Sequence, residues 1–572
     1  MKASGRSSPP GALRWFLLVV CFALFAGGLV LRAVWLELGD RAFLLRQIAE
    51  RDLRILTLPA HRGLIVDRHG EPLAVSAPVD DLCLDPRVFI QERADWSTLA
   101  RLLGWSEEHL ARLVEASRHE YFLYLERDLD PFHAENILDR GIPGVFLVPA
   151  DERFYPAGAI AGQLIGYTNI DDEGQGGLEL EFNRWLKGRD GRMEVIQNGR
   201  GQSVSVVRIL SRPKPGRTLR TSLDLRLQYL AYRALRREIV KERARSGSVV
   251  VVNPRSGEIL AMASFPSFNP NNRATFIPAH MRARAATDMF EPGSAFKPFT
   301  ISAALASRRY EPWSLVNTGN GVFRIGDYTI RDDADWGVID LTTLLEKSSN
   351  VGAAKIALSL PRHYLWQAYR DFGFGQTTGT GFPGESPGLL HRWFEWPPAA
   401  HAAIAYGYGV SVTALQLARA YSVLADGGIR RPLTFLDLTH PPRGRRVIPA
   451  RLAQTLRTML ETVVSPAGTG FRAQIPYYRV AGKTGTARLF IHGHYSRRVY
   501  NSVFAGMAPA GHPRFVVIVI IKHAMRAYFG GLVAAPVFAK VMQSALRLYG
   551  VAPSHWPQST PPIVLTGQEP VS

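Results

Sequence analysis

The stretch from Trp15 to Leu31 limits this chain more than any other: 17 consecutive residues carry no charge and no strongly polar group. After Arg32 the run resumes as Ala33-Val34-Trp35-Leu36. The whole is about 22 residues, or about 33 Å of helix, the thickness of a bilayer's hydrocarbon core. Arg32 lies near the end of the run, where a long cationic side chain can snorkel to the headgroups. A cleaved signal peptide is the alternative. Its apolar region, however, normally runs to about 7–15 residues and closes on a small-residue site, and no such site closes this run. An uncleaved signal anchor is therefore expected at 15–36. Lys2, Arg6 and Arg14 precede it without an acidic residue, whereas Glu37 and Asp40 offset Arg41 after it. That asymmetry places residues 1–14 in the cytoplasm and the rest outside. The next longest apolar run, Phe515 to Ile521, has seven residues and reads as a buried strand.

This topology changes the meaning of the charge. With 68 basic and 49 acidic residues, the net charge is +19 on 572 residues. Such an excess suits nucleic acid, but an exported chain does not meet it, so no nucleic-acid partner is expected. The polyanions within reach are those of the cell envelope. The 46% hydrophobic share is that of a globular protein, and the length allows about three or four domains. Two cysteines, Cys21 and Cys83, exclude a disulfide framework and a multi-cysteine zinc site. Both read as inert thiols.

Residues 37–220 mix short apolar runs with Gly, Pro and charged turns. A strand enters a turn at His61–Gly70 and another begins at Pro72; short helices are expected over Trp96–Ser117, and Pro213–Arg217 reads as a boundary. From 221 to 550 the pattern changes. Leu223–Lys241 has helical spacing, Ser248–Val252 and Glu258–Met262 read as a hairpin around Asn253–Gly257, and a helix-rich middle follows. Strand signals return at Arg479–Ala481, Ser502–Gly506 and Phe515–Ile521, before a last helix at Ala534–Leu548. The fold class is α/β, with one antiparallel sheet whose strands come from both ends of the segment and helices inserted between them. Residues 551–572 are Pro-rich and read as a disordered tail.

Three short motifs carry chemistry. Glu291-Pro292-Gly293-Ser294-Ala295-Phe296-Lys297 sets Ser294 after a Pro-Gly turn and one helical turn from Lys297. A buried lysine near another cation loses its proton more readily and can then take one from a serine hydroxyl. A serine at a helix N-terminus also has backbone N–H groups at hand for an oxyanion. Alone the motif is weak, because roughly 0.6 Ser-x-x-Lys matches arise by chance in such a composition. Ser211-Arg212-Pro213-Lys214 is a decoy of this sort, in a segment without helical pattern. The second motif, Lys347-Ser348-Ser349-Asn350-Val351, falls in a helical stretch 54 residues after Ser294. The third, Lys483-Thr484-Gly485-Thr486-Ala487, lies on or beside a strand 189 residues after Ser294. There Lys483 offers charge, Thr484 and Thr486 offer hydroxyls for a carboxylate, and Gly485 lets a substrate backbone approach the strand. His401 and His494 sit in no motif that would make a Ser-His triad. The ordered set of three is what carries weight.

In that order the motifs resemble those of penicillin-binding proteins and serine β-lactamases. The chain looks most like a class B penicillin-binding protein of the division type, over residues 15 to 550. Phe372-Gly373-Phe374-Gly375, Tyr406-Gly407-Tyr408-Gly409 and Gln416-Leu417-Ala418-Arg419 extend the likeness. So do Arg62-Gly63, Asp67-Arg68, Leu73-Ala74 and Gly176-Gly177-Leu178-Glu179, with Phe182, Leu186 and Gly188, in the N-terminal pedestal of this class. The resemblance implies a membrane anchor, a mixed α+β pedestal of the dimerisation type at 37–220 and a transpeptidase domain at 221–550. It implies that Ser294 attacks the D-Ala-D-Ala carbonyl of a peptidoglycan stem peptide while Lys297 takes its proton. Backbone N–H groups of Ser294 and Thr486 would hold the oxyanion. Ser348 and Lys483 would relay a proton to the leaving D-Ala, and Lys483, Thr484 and Thr486 would hold the terminal carboxylate. Gly485 leaves room beside it, and Asn350 would bind the donor amide and place Lys297. β-Lactams would acylate Ser294. No metal or organic cofactor is implied. A glycan polymerase of the SEDS family and other divisome proteins are the implied partners, at the division site of the inner membrane with the catalytic domain periplasmic. Two alternatives stay open: an elongation-type class B protein, and a β-lactamase or β-lactam sensor of the same fold. Ser349 at the middle of the second motif favours the transpeptidase over a class A β-lactamase.

Overall fold

The computed structural model describes residues 11–38, 53–92, 94–120, 122–197, 203–491 and 494–554. Most of the expected cytoplasmic tail, the residues Asp40 and Arg41, and the Pro-rich tail beyond 554 lie outside the described residues. The N-terminal apolar run forms a helix, Gly11–Leu38. Its window Trp15–Arg32 has a mean hydropathy of 2.2 and is covered by no other part of the protein. Trp15, Phe16, Phe22 and Leu24 therefore face outward. A helix this long with bare apolar sides is stable in lipid rather than in water.

The chain divides into two compact units. The first comprises Met1–His61, Pro78–Glu152 and Arg189–Lys214. In it Leu53–Leu58, Gly191–Gln197 and Ser203–Ser211 form an antiparallel three-stranded sheet. Helices Trp96–Leu102 and Glu107–Ala116 start on Asp95 and Ser106, whose side chains accept backbone N–H groups. Their apolar faces meet in a core of Leu82, Phe89, Leu99, Leu110 and Val114.

The second unit comprises Arg62–Ala77, Arg153–Gly188 and Pro215–Ser572. Its spine is a five-stranded antiparallel sheet in the order Ile259–Phe265, Ser246–Val252, Phe515–Lys522, His494–Ala508, Ala481–Ile491. The central strand is apolar at every position from Phe515 to Ile521 because both faces are covered. Val249, Val251, Val517 and Val519 point to one face, against helices Leu225–Glu242 and Gly530–Leu548. Val250, Val252, Ile518 and Ile520 point to the other, into the core shared with Phe299, Leu417 and Tyr421. A strand with period-two side chains and helices on both sides has no polar face to expose.

This unit also holds a buried ionic cluster of Arg62 and Glu179, which the family pattern singled out, and Arg153, which it did not. Glu179 sits between Arg62, at 2.6 Å, and Arg153, at 2.8 Å, all with side chains almost wholly hidden. Arg62 donates further to Asp172 O and to Asn183 Oδ1, and Arg153 to Gly63 O and Ser76 Oγ. The glycines nearby are there for space. A Cβ on Gly177 would lie 2.5 Å from Leu164 O, and its φ of +56° suits glycine besides.

Candidate active site

Ser294 lies in a 3-10 turn, Gly293–Phe296, that runs directly into the buried α-helix Lys297–Ala306. Gly293 makes the turn possible with φ +54°. The turn is clamped by aromatic packing: Phe296 lies 4.7 Å from the rings of Tyr369 and Phe374, and Phe299 lies 4.9 Å from Phe372. Tyr421 OH donates to Ala295 O at 2.8 Å. The motif residues Phe372-Gly373-Phe374-Gly375 thus serve as packing under the serine. Gln416 and Arg419 brace the same loop by donating to the carbonyls of Gln376 and Gly373.

One turn on from Ser294, Lys297 Nζ stands 3.0 Å from its Oγ. Lys297 Nζ also meets Asn350 Oδ1 at 2.8 Å, Ser348 Oγ at 3.1 Å and the carbonyl of Ser348. Four oxygens surround a group that has three N–H bonds even when charged. One of the hydroxyls can therefore turn its own proton toward the nitrogen once that nitrogen is neutral.

The second motif is not continuous helix, as its sequence suggested. Helix Leu341–Lys347 ends at Ser348, which adopts φ 61°, ψ 39°, and a new helix, Asn350–Ser359, begins with Ser349 as its cap. A left-handed non-glycine residue costs of order 1–3 kcal/mol and is found where its side chain must be aimed. Here the break turns Ser348 Oγ toward both lysines, with Lys483 Nζ at 2.9 Å. Lys483 is on the edge strand Ala481–Ile491, paired opposite Ala505, with Thr484 opposite Phe504 and Thr486 opposite Ser502. Seven of the eight predicted residues meet here: Ser294, Ser348, Asn350, Thr484 and Thr486 line one cavity of about 850 Å³, and the two lysines lie behind it, joined through the Ser348 hydroxyl.

Both lysines are completely buried. Burial pushes Lys297 down to about 7, against the nearby negative charges of Asp332 and Asp333. Burial also pushes Lys483 far down, and the charge of Lys297 adds to the effect. Two ammonium groups without a bonded carboxylate cannot both stay charged in such a place.

Comparison with known proteins matches this arrangement. Residues 247–543 fit the model of the penicillin binding protein transpeptidase domain, and residues 57–221 that of the penicillin-binding protein dimerisation domain. The chain belongs to the penicillin-binding protein transpeptidase family. It is 43% identical to a protein of Pseudomonas aeruginosa named probable peptidoglycan D,D-transpeptidase PbpC, over 95% of this chain and 96% of that one. It is 36% identical to peptidoglycan D,D-transpeptidase FtsI of Escherichia coli, over 97% and 96%. Among solved structures, penicillin-binding protein 3 of Mycobacterium tuberculosis in complex with aztreonam is 26% identical, with a TM-score of 0.68 over 87% of this chain and 98% of that one. The TP domain of penicillin-binding protein 3 from Burkholderia pseudomallei is 39% identical, with a TM-score of 0.55 over 59% of this chain and 98% of that one.

One further residue of the site carried no sequence signal. Asp332 has no motif around it, yet its carboxylate accepts from Ser349 Oγ at 2.6 Å, from Val351 N at 3.0 Å and from Asn350 N. It caps the helix that starts at Asn350 and so fixes the second motif. Only the fold brings a residue 16 positions upstream of Ser348 to that helix end. Gly485 was expected to make room for substrate. In the structure a Cβ there would lie 2.5 Å from Pro292 O and 3.1 Å from Ala295 Cβ, so the glycine lets the strand press against the serine turn. Tyr408 and Tyr495 also line the cavity, with rings 5.2 Å apart. Beneath them Glu291 accepts from Tyr495 OH and Gly409 N, its carboxyl pushed up by burial.

Proposed function

We propose that the chain is a membrane-anchored peptidoglycan D,D-transpeptidase that crosslinks stem peptides during septal wall synthesis through an acyl-enzyme on Ser294. The observation that supports this best is the 3.0 Å approach of a fully buried Lys297 amine to the Ser294 hydroxyl. A neutral amine at that distance accepts the hydroxyl proton as the oxygen attacks the carbonyl between two D-Ala residues. The Ser294 Oγ–carbon bond forms, and the backbone N–H groups of Ser294 and Thr486 hold the oxyanion. Ser348, in contact with both lysines, carries a proton to the departing D-Ala amine as the C–N bond breaks. Lys483, Thr484 and Thr486 receive the terminal carboxylate. Asn350 keeps Lys297 in line with Ser294 and binds the donor amide. An amine from a second stem peptide then displaces Ser294 to complete the crosslink. A β-lactam takes the donor's place and stays attached.

In this reading residues 37–220 are the pedestal and 221–550 the transpeptidase domain. The N-terminus is cytoplasmic, the catalytic unit periplasmic, and the partner a SEDS-type glycan polymerase at the division site. The kinship with the protein named FtsI supports division over elongation. Mass spectrometry after penicillin treatment tests the core of the reading. One adduct is expected, on Ser294, and none on Ser294→Ala. An adduct on another residue would overturn the assignment. Depletion in the native cell tests the division role: filaments are expected, and round cells would point to elongation.

A further inference from the structure

Two adjoining hollows outside the catalytic cavity lie along one helix, Ala450–Thr462, and share Arg451 and Gln454. The first, of about 420 Å³, is walled by Arg255, Arg451, Arg457 and His512. Its one carboxylate, Asp426, is already held by Arg431 at 3.1 Å. Arg457 spends its N–H groups on the carbonyls of Leu424, Ala510 and Gly511. The guanidiniums of Arg255 and Arg451 are exposed and have no hydrogen bond or ion pair among the described residues. A wall of this charge suits an anion. The second hollow, of about 450 Å³, is polar and carries no charge besides Arg451. Thr342, Thr455, Thr458 and Thr462 line it, and each hydroxyl gives its proton to a backbone carbonyl, those of Pro312, Arg451, Gln454 and Met459. The lone pairs of the four oxygens are left for the groove, a row of acceptors for O–H and N–H groups. Trp313 follows Pro312 of the same wall and is 70% exposed, a flat apolar plate on which a sugar ring can lie. The helix also leads to the reaction. Beyond Thr462 the chain turns back, with Gly470 N donating to Val463 O at 2.8 Å. In that turn Thr469 lines the catalytic cavity and shares a 2.8 Å hydrogen bond with Thr484 Oγ1.

We propose that the outer face of helix Ala450–Thr462 is a groove for an acidic glycan strand, separate from the catalytic cavity. The threonine row takes the hydroxyl and acetamido groups of amino sugars, and Arg255 and Arg451 take a carboxylate. This rests on the transpeptidase reading and gives the enzyme a second hold on the wall, apart from the bond being made. A strand seated there has the catalytic cavity one short turn of chain away, at Thr469. Sugars suit the uncharged row, which an acidic protein segment would leave unused. The carboxylate belongs to the glycan itself or to a stem peptide carried on it, and the test separates the two.

The full chain in detergent is first acylated with penicillin, which fills the catalytic cavity, and binding is then followed by titration calorimetry. The probes are uncrosslinked glycan strands with their stem peptides, the same strands stripped of them by an amidase, a neutral hexamer of N-acetylglucosamine, and polyglutamate. Strands should bind the blocked protein. The double variant Arg255→Gln, Arg451→Gln should weaken them about tenfold, the worth of a charge-assisted contact, and leave the neutral hexamer unaffected. Thr458→Tyr, which fills the groove, should weaken strands and hexamer alike. Penicillin should label Ser294 in every variant at the unaltered rate, which also shows that each is folded. An arginine effect confined to stem-bearing strands assigns the carboxylate to the stem peptide, and one that persists on stripped strands assigns it to the glycan. Polyglutamate bound as tightly as the strands, with Thr458→Tyr without effect, would make this face a dock for an acidic protein and overturn the groove. Strands that do not bind the blocked protein, or that bind all variants equally, would overturn it too while leaving the transpeptidase reading intact. Failure of penicillin to label the unaltered protein would overturn that reading, and the groove's role with it.

Discussion

Arg62 and Arg153 on one side, and Lys297 and Lys483 on the other, are four cations hidden from solvent in the same unit. Their surroundings differ in one respect. The guanidiniums share a carboxylate, Glu179, and spend their remaining N–H groups on carbonyls and side-chain oxygens. The lysines have no ion pair with a carboxylate among the described residues and share the hydroxyl of Ser348. A guanidinium cannot shed its proton in a protein, so burying it demands oxygen partners for its N–H groups, here with a carboxylate among them. A lysine can shed its proton, and without a partner burial drives it to do so. The first arrangement holds three chain segments in place. The second produces an amine able to accept a proton near neutral pH.

The contrast can be broken in several places. Lys297→Met should lower the rate of acylation by penicillin by about 10²–10⁴, the usual worth of a general base, with a stability loss of no more than about 1–3 kcal/mol, because it orphans the Asn350 Oδ1 and Ser348 carbonyl acceptors but no charge. Rapid labelling of that variant would place the base elsewhere. Glu179→Ala should do the reverse. Two buried guanidiniums lose their counter-ion, and the midpoint of chemical denaturation should fall by the equivalent of about 3–5 kcal/mol. A loss below about 1 kcal/mol would mean that the cluster is not a staple. The unaltered protein should acylate faster as pH rises through about 7, because the neutral form of Lys297 is the base and added protons below that value remove it. Stopped-flow labelling across pH checks this, and a limb near the ordinary lysine value would contradict it. Asp332→Asn should move that limb to lower pH, since the Asp332 charge holds the Lys297 value up. It should also cost about 1 kcal/mol of stability through the weakened helix cap. Lys214→Ala, in the Ser211–Lys214 decoy, should change neither labelling nor stability: it lies in the first unit, where its backbone pairs with that of Arg189.

The sequence is most legible where a residue's surroundings are set by its neighbours in the chain. The helix expected at Leu223–Lys241 is found at Leu225–Glu242, and the strand at Phe515–Ile521 is found at Phe515–Lys522. Both are long enough for periodicity to report burial. The strand expected at Ser502–Gly506 is found at His494–Ala508. Its outer half carries Tyr495 and Tyr500 beside the cavity rather than alternating apolar residues, so the pattern there is lost. The helix break at Ser348 was illegible for a different reason. Nothing local demands a left-handed serine; Lys297 and Lys483 hold it from elsewhere in the chain, and Asp332 holds the residues that follow it.

By itself, then, the amino-acid sequence determined that one apolar helix precedes a large α/β protein, and that Ser294, Lys297, Ser348, Asn350 and Lys483 belong to one site. Those are properties of residue type, spacing and order. The tertiary structure alone decided that both lysines lie out of water with no bonded anion among the described residues, and that Ser348 turns between them. It also decided that Asp332 reaches the start of the helix after Ser349. Proton affinity and free charge depend on what surrounds a group in space, and segments far apart in the chain supply those surroundings.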